Sequence, residues 1–491
     1  MDIWVYNPPF HDRFSRAQRS PAVTKSGTVY YPIWLAYVVG VLEDAGHNVL
    51  FTDAPVSRLR PDQHLAEAVS RDVRMVVVDM STASVENDIS VCRAIRNALP
   101  GAFLVAVGPH VSALPEETMK AGEVLDAVVR QEADYTVRDL AAVIGRCRTA
   151  RPSDQALAAV EGLTFRDSNG NIVENLPRPL IEDLDKLPWV SKVYKKHLKI
   201  RDYFNPNAPP PMITLISSRG CPFKCNFCLY PQTLTGNSYR FRSIDDIVSE
   251  MEFVTKEFPE ARSVFFEDDT LTSHKKRCRD LAQAILDRGI HLQWVANSRV
   301  EVDLETLKLL KKSGCRHLCV GFESGDPESL KYMGKGTTPE RMLQFMDDAR
   351  KADIDIHGCF MVGFPGEDRA ALKRTMDLAL QLNPSTAQFY PIMVYPGTKA
   401  YDDYRSRQWL TARSYRDWLT PEGLHNCVIH NEHFSARELV QWCDAARRRF
   451  YLRPGYLLRK AHMALIDPYE RARTFRGAKV FFKHLVLGSR V

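Results

Sequence analysis

Three closely spaced cysteines are the residues of this sequence best suited to chemistry. Cys221, Cys225 and Cys228 form the pattern Cys-x3-Cys-x2-Cys and follow an apolar run at residues 213–216. Thiolates are the soft ligands that iron–sulfur clusters require, and a short loop lets three of them converge on one cluster. No fourth cysteine lies close by in the sequence, so one iron would stay open to another ligand. Zinc binding or simple burial are the alternatives, but structural zinc normally takes four ligands.

Two series of strand and helix patterns surround this loop. The first spans residues 1–147, where apolar runs alternate with helical patterns, as is typical of a parallel sheet covered on both faces. Its predicted strands are residues 3–6, 48–53, 75–80, 103–107 and 127–129. Ligands of such Rossmann-like sheets bind beyond the carboxyl ends of the strands.

Residues 148–210 are expected to connect the two series. Two short strand patterns, at 163–166 and 172–174, flank an Asn-Gly pair at positions 169 and 170, a strong hairpin signal. Prolines punctuate the path that follows. We therefore predict a connector that contains one β-hairpin.

The second series, residues 211–400, repeats a strand–helix unit six times. Its predicted strands are residues 213–216, 263–266, 292–295, 318–322, 356–362 and 387–394. Six units predict a partial (βα)6 barrel of the TIM type, with its site at the carboxyl ends of the strands. Residues 401–491 are helical in pattern and basic. The expected fold class is thus α/β, with a Rossmann-like domain, a partial barrel and a helical C-terminal region.

The composition narrows the classes of protein to which this chain can belong. The 491 residues carry a net charge of +6, which is too small to indicate a nucleic-acid partner. Eleven cysteines, an odd number, argue against a disulfide framework and for a reducing compartment. We therefore expect a cytoplasmic protein of two or three domains.

The cysteine motif, with Phe227 before its last cysteine, resembles the signature of radical S-adenosylmethionine enzymes. The resemblance implies a [4Fe-4S] cluster whose open iron is chelated by the amino and carboxylate groups of S-adenosylmethionine. It also implies an external electron donor of the flavodoxin or ferredoxin type. Cleavage of the sulfonium would then give a deoxyadenosyl radical that abstracts hydrogen from the substrate.

Residues at the ends of later strands also resemble family positions. Asp268 and Asp269 follow the second barrel strand, where acids of the family hold the methionine ammonium group. Asn297 and Arg299 end the third strand, and Arg299 is expected to meet the methionine carboxylate. A solvated helix start and a surface arginine are the plainer alternatives. The remaining predicted cofactor contacts are Phe227, Glu323 at the ribose, Ser324, and Met361 and Gly363 near the adenine.

A parallel α/β domain before such a barrel resembles the cobalamin-binding-domain class of these enzymes. The base-off fingerprint Asp-x-His-x-x-Gly is absent, and the nearest string, around His64, lacks the glycine. His110 is a candidate ligand, although a loop histidine is the simpler interpretation. Cobalamin is therefore left open as a cofactor.

Residues 228–243 resemble two groups within the family, the hopanoid cyclitol-ether enzymes and the aminoglycoside 3′-deoxygenation enzymes, which act on adjacent hydroxyl groups. We therefore expect a small polyol substrate (sugar, aminosugar or hopanoid side chain) and a lyase-type dehydration or rearrangement of its diol. Tyr230 and His357 are the candidate acid or base, with core packing as the alternative. A cobalamin-dependent methyltransferase is the second interpretation, and a non-catalytic iron–sulfur scaffold is the third.

The last residues combine basic and apolar side chains. The basic ones are Arg471, Arg473, Arg476, Lys479, Lys483 and Arg490, and they alternate with Phe475, Val480, Phe481, Phe482, Leu485 and Leu487. Such a segment can lie on a membrane surface. We favour a helix packed on the barrel with its basic face in water, so membrane contact is not the expected outcome.

Overall fold

The computed structural model describes residues 1–147, 151–467, 469–472 and 474–475. Its strands are β1 Asp2–Asn7, β2 Asn48–Asp53, β3 Met75–Asp79, β4 Phe103–Val107, β5 Ala127–Val129, β6 Leu163–Arg166, β7 Ile172–Glu174, β8 Met212–Leu215, β9 Ser218–Arg219, β10 Arg240–Phe241, β11 Ser263–Phe266, β12 Gln293–Ser298, β13 Cys315–Glu323, β14 Asp355–Val362 and β15 Thr386–Pro391. Its α-helices are α1 Ile33–Asp44, α2 Pro61–Ser70, α3 Val85–Ala98, α4 Pro109–Ala113, α5 Pro115–Ala121, α6 Ala133–Arg146, α7 Asp154–Ala158, α8 Val190–His197, α9 Leu229–Thr233, α10 Ile244–Glu257, α11 Lys275–Asp287, α12 Leu304–Lys312, α13 Pro327–Met333, α14 Pro339–Lys351, α15 Arg369–Leu382, α16 Lys399–Ser406, α17 Ala436–Tyr451 and α18 Pro454–Ile466.

The first sheet is a Rossmann-like sheet with the order β2-β1-β3-β4-β5-β6-β7. Strands β1 to β5 are parallel, and β3 and β4 are buried along their whole length, as the continuous apolar runs predict. The predicted hairpin also forms, but β6 pairs antiparallel with β5. The hairpin therefore extends the first sheet as its edge.

The second sheet is a partial barrel of six parallel strands in the order β15-β14-β13-β12-β11-β8. This confirms the predicted α/β class and the six strand–helix units. Helix α15 shows how the sequence sets the bounds of one unit. The Asp368 side chain accepts a hydrogen bond from the backbone N–H of Ala371, and Asn383, with φ of 43°, ends the helix in the left-handed region.

Buried charges join the two sheets. Arg219, on β9, donates to the Asp134 carboxylate at 2.8 and 3.0 Å, and Arg240, on β10, donates to Glu132 at 2.9 and 3.0 Å. Both acids lie at the start of α6, and all four side chains are buried. Because unpaired buried charge is costly, this network fixes the first sheet against the segment that carries the cysteines.

The C-terminal region is helical, as expected. Helix α17 packs against β15, where the hydroxyl of Tyr451 donates to the carbonyl of Ala387 at 2.7 Å. No helix in the described part of the chain is both long enough and apolar enough to cross a bilayer. Arg473 and residues 476–491, which hold most of the predicted basic and apolar segment, lie outside the described residues.

Candidate active site

The cysteine loop begins at a glycine that no other residue can replace without strain. Gly220 has φ of +81°, and a Cβ atom at this position would lie 2.1 Å from the carbonyl oxygen of Ser238. The backbone N–H of Cys221 then donates to the carbonyl of Gly236 at 3.3 Å. The backbone conformation of Gly220 and this hydrogen bond therefore fix the direction in which the chain enters the loop.

Two side-chain amides fix the rest of the loop. Nδ2 of Asn237 donates to the carbonyls of Cys221 and Phe223 at 3.1 and 3.2 Å. Nε2 of Gln232 donates to the carbonyl of Cys228 at 2.8 Å. These hydrogen bonds satisfy carbonyls that lack secondary-structure partners. Neither amide could be given this role from the sequence.

All three cysteines of the loop are half-buried and free of disulfides. Burial raises the pKa of Cys221 to about 11 and that of Cys228 further, and iron binding would deprotonate them. No three cysteine, histidine or acidic side chains among the described residues are placed to hold a single metal ion. Three thiols spread along one loop are the donor set of an iron–sulfur cluster with one open iron, so the residues fit that cofactor.

Asp268 is held by the strand ends beside the loop. Its carboxylate accepts from the backbone N–H and the hydroxyl of Ser217 at 3.0 and 2.9 Å, and from the hydroxyl of Ser218. The side chain is buried, which raises its pKa. The structure thus gives Asp268 a positioning contact, and its contact with a methionine ammonium stays a prediction.

Arg19, which the sequence did not single out, contacts Glu267 and Asp269, the acids on either side of Asp268. Arg19 donates to the Glu267 carboxylate at 2.6 Å, to the carbonyl of Asp268 at 2.9 Å and to Asp269 at 3.3 Å. One oxygen of Glu267, Oε2, is buried without a hydrogen-bond partner. The loop between β1 and α1 thus delivers a cation from the first domain to the barrel mouth.

Glu323 has one buried carboxylate oxygen that can accept a further hydrogen bond. Its φ is +67°, and the strand register shifts between Gly321 and Glu323, so the end of β13 bulges. Oε1 accepts from the ammonium of Lys335 at 2.9 Å, while Oε2 is buried without a partner. A ribose hydroxyl would satisfy Oε2, which fits the predicted role.

Arg299 lies against the cysteine loop. Its guanidinium stacks over the ring of Phe223 at 3.7 Å, and Nη1 is 3.9 Å from the sulfur of Cys225. It also donates to Glu301 at 3.1 Å. The structure thus brings Arg299 and the cysteines together, as the predicted carboxylate contact requires. Asn297 lies two residues earlier, on β12, and its amide donates to the carbonyl of Asp268 at 3.1 Å.

The four other predicted cofactor contacts lie in different surroundings. Ser324 is buried and its hydroxyl lies 3.0 Å from that of Thr375 on α15. Met361 is buried within β14. Gly363 has φ of +102°, and a Cβ there would lie 3.0 Å from Leu439, so glycine lets α17 approach the strand end. Phe227 is half-buried in the cysteine loop.

The two predicted acid or base residues are far apart in the barrel. Tyr230, just after the last cysteine, is buried, with the guanidinium of Arg19 at 5.5 Å from its ring. Burial raises the pKa of Tyr230, which keeps the phenol neutral. His357 is the third residue of β14, near its amino end, with Nδ1 2.8 Å from the hydroxyl of Thr386. Only Tyr230 therefore lies at the cluster end of the barrel.

A narrow cavity of about 30 Å³ lies between the edge of the first sheet and the segment after the cysteines. Asp79 and Gly108, at the carboxyl ends of β3 and β4, line one side, and Leu234 and Thr235 line the other. Trp34 of α1 contributes an apolar wall. Burial raises the pKa of Asp79 to about 7, so this carboxyl group can donate as well as accept.

The two histidines considered for cobalamin lie in ordinary structural positions. His64 is on α2, with Nε2 2.9 Å from the hydroxyl of Ser57. His110 is buried on α4, with Nδ1 3.2 Å from the hydroxyl of Thr82 and its ring edge-on to Tyr415 at 4.8 Å. Burial lowers the pKa of His110 to about 4. Neither histidine is therefore identified as a cobalamin ligand.

Comparisons with known proteins agree with this arrangement. Residues 215–379 match the model of the Radical SAM superfamily, and residues 19–141 match that of the B12 binding domain. The chain is 29% identical over 459 residues to an uncharacterized methyltransferase of Pyrococcus horikoshii, covering 91% of this chain and 95% of that protein. It is 24% identical to the anaerobic magnesium-protoporphyrin IX monomethyl ester cyclase of Rubrivivax gelatinosus, covering 87% of this chain and 74% of that protein.

A solved structure shares the fold. It is the radical S-adenosylmethionine methyltransferase TsrM of Kitasatospora setae with cobalamin and a [4Fe-4S] cluster bound, with a TM-score of 0.62, 19% identity, and coverage of 83% of this chain and 75% of that one. The radical SAM match implies a [4Fe-4S] cluster and S-adenosylmethionine as cofactors. The chain therefore contains a segment of the radical SAM type, at residues 215–379, preceded by a segment of the B12-binding type, at residues 19–141.

Proposed function

We propose that this protein is a cobalamin-dependent methyltransferase of the radical SAM class, acting on a small-molecule substrate. The observation that carries the proposal is the match of residues 19–141 to the B12 binding domain, together with the placement of its strand ends. Asp79 and Gly108, at the carboxyl ends of two of these strands, lie across a narrow cavity from Leu234 and Thr235 beside the cysteine loop. A cofactor bound at the carboxyl edge of the first sheet would therefore face the cluster end of the barrel.

The relatives favour this proposal over dehydration of a diol. Two of the three proteins compared above are methyltransferases by name, and the third is a cyclase. None of the three supports the expected polyol substrate or a lyase-type reaction. The methyltransferase, the second interpretation of the sequence, is therefore the function that we adopt.

The chain's own residues would bind and shield the reactants. Arg299 and Glu323 would hold S-adenosylmethionine by its carboxylate and its ribose, while the cysteines hold the cluster. Arg19 would hold the acids at the mouth of the barrel in place. When bound, the cluster supplies electrons and cobalamin supplies methyl-group transfer.

The experiment uses the full chain, reconstituted anaerobically with iron and sulfide and then incubated with hydroxocobalamin. We expect the corrinoid to stay bound through gel filtration, with one equivalent detected by its visible absorption. Methyl-labelled S-adenosylmethionine should then give S-adenosylhomocysteine once a substrate is supplied. The label should appear in the product.

The triple variant with alanine at Cys221, Cys225 and Cys228 is the control. It should retain the corrinoid, because the cysteines lie outside the first sheet, and it should yield no deoxyadenosine. A native protein that releases corrinoid on gel filtration, and forms deoxyadenosine without S-adenosylhomocysteine, would return the assignment to hydrogen abstraction without methyl transfer.

A further inference from the structure

Helix α18 turns its apolar side chains toward solvent. Leu457, Leu458, Leu465 and Ile466 expose 51%, 72%, 81% and 68% of their surface. Spacings of seven and eight residues put these side chains on one side of the helix. We call these four residues the leucine face.

The opposite side of α18 is polar and packed against the protein. Lys460 is only 8% exposed, and its ammonium lies 3.2 Å from the carboxylate of Glu470. The hydroxyl of Tyr456 donates to the carbonyl of Ser385 at 3.0 Å. A helix of a soluble protein normally buries its apolar side and hydrates its charges, so α18 is inverted relative to that pattern.

The leucine face belongs to a concentration of exposed apolar groups. Eleven large apolar side chains are exposed in the part of the chain that the structure describes, and six of them fall between positions 452 and 475. Leu452 and Phe475, exposed by 52% and 70%, flank the leucine face in sequence. Contiguous apolar surface of this kind normally marks a binding surface.

The surroundings of the leucine face are positively charged. Arg448 and Arg471 are exposed. The acids in this region are engaged in ion pairs, Asp467 with Arg316 at 2.6 Å, in addition to the Glu470 pair. An anionic partner would therefore complement the charge here.

We propose that the leucine face docks on the surface of an anionic lipid bilayer, with α18 lying in the plane of the headgroups. Apolar side chains flanked by cations are the pattern of interfacial helices. A second copy of the chain is a poorer occupant, because a twofold contact would bring the same cations together. Ser385 precedes β15, so α18 lies near the amino ends of the barrel strands and leaves the cysteine end free.

The test is co-sedimentation of the full-length, cluster-reconstituted protein with vesicles. One set contains equal parts of phosphatidylglycerol and phosphatidylcholine, and the other contains phosphatidylcholine alone. We expect the protein to sediment with the anionic vesicles and to be released by high salt. Leu458→Gln combined with Leu465→Gln should weaken binding by about tenfold or more, because both side chains would leave the interface.

The matched control changes two exposed leucines elsewhere. Leu59→Gln combined with Leu176→Gln, at positions that are 49% and 76% exposed, should sediment like the native protein. Equal far-ultraviolet dichroism and equal deoxyadenosine formation would show that both double variants fold. Failure of the native protein to sediment, or equal sedimentation of the two double variants, would overturn the proposal. A native dimer that becomes monomeric in the Leu458 and Leu465 variant would also overturn it and assign the face to self-association.

Discussion

Arg19 of the first domain and Glu267 of the barrel form a salt bridge of 2.6 Å between residues 248 positions apart in the chain. The same guanidinium reaches the carbonyl of Asp268 and the carboxylate of Asp269. The barrel mouth therefore depends on a cation from the other domain.

Removing that cation should destabilise the protein. We expect Arg19→Gln to lower the free energy of unfolding by about 1–3 kcal/mol, because Glu267 and Asp269 would lose a charged donor. The Arg19 side chain is 28% exposed, which keeps the loss below that of a fully buried pair. Chemical denaturation of the anaerobic protein measures it. Arg13→Gln, which removes only an exposed contact of 3.4 Å to the carbonyl of Gly27, should change stability by less than about 0.5 kcal/mol; equal losses would contradict the role given to Arg19.

Replacing any cysteine of the loop should abolish the cluster. Cys221→Ala, Cys225→Ala and Cys228→Ala each remove a thiolate that a three-cysteine site cannot spare. Iron content and visible absorption after reconstitution measure the outcome. Cys147→Ala is the control, because its half-buried thiol donates to the carbonyl of Val143 outside the loop. A triple variant of the loop with a full cluster would refute the assignment.

Glu323→Gln should weaken S-adenosylmethionine binding while the cluster is retained. The amide nitrogen that replaces the unpaired oxygen donates instead of accepting, so a ribose hydroxyl would lose its partner. The loss of a hydrogen bond to a charged group costs about 1.5–3 kcal/mol, or about ten- to hundredfold in affinity. Equilibrium binding to the reconstituted protein measures the change. Glu305→Gln, whose side chain is 75% exposed on α12, should bind normally; if both variants bind normally, the ribose assignment is wrong.

Asp79 should make stability depend on pH. Burial raises its pKa from 3.8 to about 7, so the folded protein holds this proton more tightly than the unfolded chain does. Stability then falls as pH rises from about 4 to about 7, while Asp79→Asn escapes this loss. The variant should gain stability relative to the native protein over this range, by on the order of 4 kcal/mol at most. Unfolding without added cofactor measures it, and Asp12→Asn, at an exposed position, should show no such trend. A constant difference for Asp79→Asn would contradict the raised pKa.

The regular elements followed from local patterns. Strand β4 was predicted to the residue because five apolar residues in a row suit only a strand buried on both faces. Helix α15 forms where apolar positions repeat at helical spacing between Asp368 and Asn383. Helix α8 was not expected, because it lies in the connector, where prolines suggested irregular chain.

The features that could not be predicted from the sequence depend on contacts between residues that are distant in the chain. Nothing near Arg19 indicates that it reaches Glu267, and nothing near Glu323 indicates that one of its oxygens stays unpaired. Helix α18 buries Lys460 and exposes Leu458, because Glu470 provides a buried partner for the lysine. The expectation of a packed helix with a hydrated basic face concerned residues 471–490, most of which lie outside the described residues.

The amides of Asn237 and Gln232 have a consequence for maturation of the protein. They hold carbonyls of the cysteine loop through the chain's own hydrogen bonds. The chain itself therefore offsets part of the conformational entropy of ordering the loop, unlike in small metal domains that fold only around their metal.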